Sequence, residues 1–235
     1  MDLTTAEAAQ RLNVNQSRVR ALIAAGGLEA RRFGTQWLVN SDSVEHQAAL
    51  TTANATGRTM SQRIAWAAAD LADGGDAEWL TASERSRLRR RLRGVTRVET
   101  VQRWLASRSN HVARYQIGDV DIEDLLHHDD VVSTGVSSVT SYNLGLGTGG
   151  TADAYVSRGV AASLISDLFL IESRTGNLTL RIVDNDLHRR TSRHLRGRVV
   201  TPRLITGVDL ADSRDTRTKA TGNALLTAVL GELAE

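Results

Sequence analysis

The chain contains no cysteine. That absence removes disulfides, thiolate nucleophiles and Cys-type zinc sites together, and it suits a reducing compartment. Lysine and proline are almost as scarce. Lys219 is the single lysine among 29 basic residues and Pro202 the single proline. The arginine bias points to a GC-rich coding sequence more than to recognition. No run of about 18 apolar residues occurs, so no membrane-spanning helix is expected. The opening MDLTTAEAAQ lacks the basic-then-apolar order of a secretory signal, which leaves a cytoplasmic location as the expectation. A nucleophile elbow is missing too, and no histidine can be matched to a carboxylate in the manner of a triad. The expectation is therefore no catalytic residue, no cofactor and no metal.

What is present starts with size and charge. At 235 residues and 41% apolar content the chain can bury a genuine core in one or two domains. Residues 1–115 carry 17 basic against 11 acidic side chains, and residues 116–235 carry 12 against 16. A basic front half suits a polyanion, and an acidic back half suits a protein partner.

The front forty residues are the most informative. Thr4 and Glu7 fit a capping box that starts a helix near Thr5, with Ala8, Ala9 and Leu12 on one face. Asn13-Val14-Asn15 supplies a turn, and Asn15 is placed to cap a second helix. In that helix Val19, Leu22 and Ile23 point inward, which turns Gln16, Ser17, Arg18 and Arg20 outward. These are groove-reading types: Arg pairs with guanine, Gln with adenine, and Ser can hold phosphate. Gly26-Gly27 ends the helix through a positive φ. Two short strands follow, Leu28 to Phe33 and Gln36 to Val39, around Gly34-Thr35. Alternation sets Arg31, or Arg32, on the face away from the apolar residues, and Trp37 is expected to cover the helical pair. A hairpin with Arg31, Arg32, Thr35 and Gln36 near its tip suits the DNA backbone or the minor groove. Asn40-Ser41-Asp42 is expected to cap a third helix from about Ser43.

Taken as one pattern, LTTAEAAQRLNVNQSRVRALIAAGGLEARRFGTQWLV from Leu3 to Val39 resembles the excisionase/MerR-type winged helix-turn-helix. The resemblance implies that the second helix enters the major groove and the hairpin, the wing, contacts the flanking backbone. It departs at the wing tip, Phe33-Gly34-Thr35-Gln36, where such proteins often carry another Arg or Lys.

The remainder reads as a linker over 51–58, a basic helical segment over 59–115 and a mixed domain over 116–235, an α+β chain overall. Within the segment, Ile64, Ala65, Ala68 and Leu71 give helical spacing, and Thr81 with Glu84 opens a second capping box. The helix it starts carries Arg85, Arg89, Arg90 and Arg93, candidates for extra phosphate contacts; the competing reading is a solvated face. Val95 to Ser107 is a further amphipathic helix. Beyond residue 115, strands are expected at 131–133, 154–156, 178–183 and 204–210, and helices at 136–144, 160–168 and 214–233, the last one long. Residues 185–203 read as an exposed basic loop. Gly145 to Gly150 satisfies GxGxxG, yet the expected order is helix before and strand after, which favours a turn over a nucleotide site. His127-His128-Asp129-Asp130 has metal-ligand types without ligand spacing, and reads as a solvated acidic loop.

The run TMSQRIAWAAADLADGGDAEWLTASERSRLRRRLR, then VVSTGVSSVTSYNLGL, AYVSRG, GNLTLRIVD and LITGVDLADSRDTRTKATGNALL, resembles the actinobacterial AbiEi-like antitoxins. That resemblance implies an autoregulating antitoxin encoded beside a nucleotidyltransferase toxin. The expected function is a sequence-specific transcriptional repressor whose partners are double-stranded operator DNA, a cognate toxin and a second copy of the chain. The alternatives are an excisionase-like architectural DNA-binding protein and a protein-interaction module that binds no DNA.

Overall fold

In the computed structural model, residues 2–12, 14–34, 36–45, 47 and 59–235 are described. The chain divides into two compact units, Met1–Arg58 and Thr59–Glu235. The expected linker at 51–58 lies outside the described residues, as does Asn13 of the expected turn.

The N-terminal unit consists of β1 (Asp2–Thr4), α1 (Thr5–Leu12), α2 (Gln16–Ala24), β2 (Ala30–Phe33), β3 (Gln36–Asn40) and α3 (residues 41–45). Thr4 and Glu7 make the capping box, with the Glu7 carboxylate accepting from Thr4 N–H at 2.7 Å and Thr4 Oγ1 accepting from Glu7 N–H at 3.2 Å. Asn15 caps α2, its side chain accepting from Arg18 N–H at 2.8 Å. Gly26 at φ +74° follows the end of that helix. The third helix begins at residue 41, two residues ahead of expectation, where the Asn40 side chain accepts from Asp42 N–H. β1 was not expected. It joins β2 and β3 in an antiparallel sheet of order β1-β3-β2. The core is small: Leu3, Ala8, Ala9, Leu12, Val19, Leu28, Val39 and Val44. Trp37 is not part of it. It shares a face with buried Val39 but sits one pleat nearer the wing tip, and it is half-buried.

The second unit is built on a seven-stranded mixed sheet of order β7-β4-β8-β6-β5-β10-β9. Its strands are β4 (His111–Gln116), β5 (Val132–Ser133), β6 (Ala152–Ser157), β7 (Ile171–Glu172), β8 (Leu178–Val183), β9 (Arg193–Leu195) and β10 (Arg198–Val200). Its helices are α4 (Gln62–Ala72), α5 (Ala82–Arg93), α6 (Val98–Trp104), α7 (Asp119–Leu126), α8 (Arg158–Asp167), α9 (Leu187–Arg190), α10 (Arg203–Ala211) and α11 (Thr216–Ala234). Among the described residues no helix is long and apolar enough to cross a membrane.

Strand alternation sorts the side chains into two cores. Ala154, Val156, Leu178, Leu180 and Ile182 pack with Ile122 and Leu125 of α7 and Ala161 and Leu164 of α8. Tyr155, Val132 and Val183 instead join Trp66, Leu88, Leu92, Trp104, Leu204, Ile205 and Leu226, from α4, α5, α6, α10 and α11. The helices of 59–115 therefore share one core with the C-terminal helices, and no boundary between cores falls at residue 115. α10 and α11 meet at glycine: a Cβ on Gly222 would lie 2.5 Å from Ala211 N and 2.6 Å from Gly207 O.

Polar groups are buried on the same side. Asp209 accepts from Arg108 Nε at 2.7 Å and from Tyr155 Oη at 3.3 Å, takes a short bond from Thr134 Oγ1, and lies 3.2 Å from Arg181 Nε. Burial and the Asp209 charge push the Tyr155 hydroxyl far above its ordinary range.

Three expectations are corrected here. Residues 204–210 are not a strand but most of α10, because a short apolar run buried all round has no period that separates the two choices. Only a 3₁₀ turn, Gly135–Ser138, forms at the start of the helix expected over 136–144. The serine, threonine and β-branched residues there favour turns over a continued helix. Residues 185–203 hold α9, β9 and β10 rather than an open loop. Four of their six arginines meet carboxylates, Arg189 with Asp130, Arg193 with Asp70, Arg198 with Glu123, and Arg203 with Asp73 and Glu232, while Arg190 lies against the Trp79 ring and Arg196 donates to Thr140 O.

Candidate nucleic-acid interface

The N-terminal unit places its polar side chains by two repeats. Helical spacing buries Val19 fully and tucks Leu22 and Ile23 against the core. Gln16, Ser17, Arg18 and Arg20 are consequently exposed. Neither Arg18 nor Arg20 has a carboxylate partner among the described residues. Since the first amides of a helix lack internal acceptors, the N-terminal turn of α2 presents donors beside these side chains.

A groove of about 530 Å³ is lined by Thr4, Thr5 and Ala6, by Gln16 and Arg20 of α2, and by Gln36 and Trp37 of β3. The fold thus brings Gln16, Arg20 and Gln36 together, although Gln36 is far from the other two in sequence. Ser17 and Arg18 are exposed on α2 but do not line the groove. Thr4, Thr5, Ala6 and Trp37 were not among the expected DNA contacts. For the first three the signal was the capping box, which sets the start of α1 beside the wing through β1.

The wing arginines are held in place. Strand register pairs Arg31 with Leu38 and Arg32 with Trp37. Arg31 therefore lies on the outer face, where it donates to Asp2 Oδ2 through Nε at 3.0 Å and Nη2 at 2.6 Å. Arg32 lies over the Trp37 ring, its guanidinium carbon 6.0 Å from the centroid. Thr35 lies outside the described residues.

The additional arginines belong to α5 of the second unit. Arg85 is half-buried and donates to Leu80 O at 3.2 Å, and Arg89 lies 3.5 Å from Asp76. Arg90 and Arg93 are exposed without an ion-pair partner among the described residues. The capping box at Thr81 forms, and together with Arg63 it pulls the Glu84 carboxyl down to about 2.

Other sequence features fall elsewhere. Gly145–Gly150 precedes β6, not a helix. His127 Nδ1 lies 2.7 Å from Glu123 O, His128 accepts from Asp130 N–H, and Asp130 pairs with Arg189. No group of three metal-ligating side chains converges among the described residues. A larger cleft of about 690 Å³ is lined by both of these histidines, His194, Arg189 and Arg190. Arg189 is tied to Asp130, and Arg190 lies 5.3 Å from the centre of the Trp79 ring. The cleft is wide but its cations are engaged, so the smaller groove of the N-terminal unit has the better claim to a polyanion.

Residues 3–46 match the family model described as a helix-turn-helix domain. The N-terminal unit thus carries a helix-turn-helix motif of the DNA-binding kind. No curated protein and no solved structure matches the chain.

Proposed function

We propose that this protein is a sequence-specific transcriptional repressor whose α2 reads bases in the major groove through Gln16, Ser17, Arg18 and Arg20. The observation that carries the reading is the convergence of Gln16 and Arg20 with Gln36 of the wing on one groove, within the segment that matches a helix-turn-helix domain. Arg31, Arg32, Thr35 and Gln36 would hold the backbone beside the site. On α5 of the second unit, taken by itself, Arg85, Arg89, Arg90 and Arg93 are the candidates for phosphate contact, Arg90 and Arg93 having no ion-pair partner among the described residues. One such module spans few base pairs, so useful affinity calls for a second copy or cooperative sites. The second unit is the regulatory or partner-binding part, and the chain acts as the autoregulating antitoxin of a two-gene system with a nucleotidyltransferase toxin. The support for that last step is the order of motifs from Thr59 onward.

Gel-shift titration of the full chain against the DNA upstream of its own coding sequence tests the repressor reading. A retarded complex is expected at low salt, with sequence preference relaxed in Arg18→Ala. No complex at low salt, or an unaltered preference in the variant, counts against it. Co-expression with the product of the neighbouring gene tests the antitoxin step, since an antitoxin restores growth that the partner alone arrests.

A further inference from the structure

The last paired rung of the wing carries a bare aromatic ring. Phe33 closes the β2–β3 ladder opposite Gln36, and 70% of its surface is exposed. Gly34 turns the chain immediately after it at φ +59°, a backbone conformation that glycine takes without a Cβ clash. Single exposed apolar side chains are common on protein surfaces. The position of this one carries the argument. It stands at the tip of an arm whose strand β3 supplies Gln36 and Trp37 to the groove that also holds Gln16 and Arg20. Both cations of that arm are engaged behind the tip, Arg31 with Asp2 and Arg32 over Trp37. The large exposed side chain at the last rung of the wing is therefore a phenyl ring, suited to a base face and unsuited to a phosphate.

We infer that Phe33 is an apolar wedge. It enters the minor groove flanking the major-groove site of α2, leans into one base step, partly unstacks it and bends the duplex. This rests on the DNA-binding reading above and adds a contact of different chemistry to it. Apolar side chains that enter the minor groove kink duplexes in this way. Pyrimidine–purine steps deform most easily. The ring therefore selects such a step at a fixed offset from the bases read by α2, without hydrogen bonding to any base.

The test uses the full chain and a short duplex that the wild-type protein recovers from a randomised pool. 2-Aminopurine is scanned through the flank, and end-to-end energy transfer reports the bend. With the wild type, one flanking step brightens on binding and the duplex ends approach each other. With Phe33→Ala the step stays dark, the ends relax, and affinity falls roughly tenfold. The slope of affinity against salt stays unchanged, because no phosphate contact is lost. Phe33→Leu retains part of the bend. A Phe33→Ala complex with the bend and flanking fluorescence of the wild type would overturn the wedge and leave the α2 reading standing. If the wild-type chain enriches no duplex from the pool, the DNA reading and the wedge fall together.

Discussion

Arg18 and Arg20 of the N-terminal unit stand exposed, with no carboxylate partner among the described residues, whereas Arg108 and Arg181 of the second unit are buried around Asp209. The contrast extends further into the second unit, where Arg193, Arg198 and Arg203 each meet an acidic side chain. Charge counted along the chain hides this difference. Residues 1–58 hold six arginines against five acidic residues, so the unit with the helix-turn-helix is nearly neutral, and the basic excess of the front half lies in 59–115. Availability for recognition is thus set by which arginines the fold leaves unpaired, not by how many a segment contains.

The largest expected effect comes from breaking the buried side of the comparison. Asp209→Ala leaves Arg181 in the core without its salt-bridge carboxylate and leaves Arg108 with Asp212 alone. Removing one partner of a buried ion pair costs about 3–5 kcal/mol. Urea unfolding followed by the fluorescence of Trp66 and Trp104 should show that loss. A loss below about 1 kcal/mol would mean that the arginines relax to water and that the two units differ less than their geometry suggests.

Next comes His188, which is buried with its Nδ1 against Asn185 O at 3.2 Å. Burial pushes its folded-state pKa from 6.5 down to about 4. The unfolded chain therefore binds this proton first, and stability rises with pH between those two values. The contribution is full above about pH 6.5 and is lost as the pH falls toward 4, by an amount on the order of 3 kcal/mol. His188→Gln should flatten the pH dependence of the urea midpoint in that window. A variant that keeps the wild-type slope would assign the acid sensitivity to the carboxylates instead.

The two units were also unequally legible. Local rules wrote most of the N-terminal unit: the Thr4/Glu7 box, the Asn15 cap and the Gly26 break each act within one turn and were readable as such. β1 was not readable, because a three-residue strand is made by its pairing with β3 and has no pattern of its own. The same limit explains the second unit. Leu204 to Leu210 is buried on every side of α10, so its apolar run lost the helical period, and α9, β9 and β10 owe their order to partners distant in sequence, such as Asp70 and Glu123. For the candidate site, the outward residues of α2 followed from helix period alone. The engagement of Arg31 and Arg32 depended on cross-strand register and could not be read in advance.

On the exposed side, Arg18→Ala should weaken binding to a recovered operator by about 1–3 kcal/mol and relax preference at one base position. The urea midpoint should not move, since Arg18 supports the fold only through its backbone N–H to Asn15. A shift in stability of the same size as the binding loss would make Arg18 a structural residue and erase the distinction between the units.

The smallest effect is the sharpest test of where the boundary between engaged and available cations runs. Among the described residues of the N-terminal unit, Arg31 is the one arginine with a two-bond carboxylate partner, Asp2, and both side chains remain partly exposed. Such a surface pair contributes less than about 1 kcal/mol to stability, so Arg31→Ala should barely move the urea midpoint. To reach a phosphate, Arg31 must first leave Asp2, which discounts its value to DNA binding by the same amount. Asp2→Asn removes that competition and one repelling charge together. The variant should bind DNA a few-fold more tightly than wild type at low salt, a gain of roughly 0.5 kcal/mol that fades as salt screens the phosphates. In an Arg31→Ala background the gain should shrink to the part due to the removed repulsion. Equal gains in both backgrounds would place Arg31 outside the interface and leave the wing with Arg32 and Gln36 as its polar contacts.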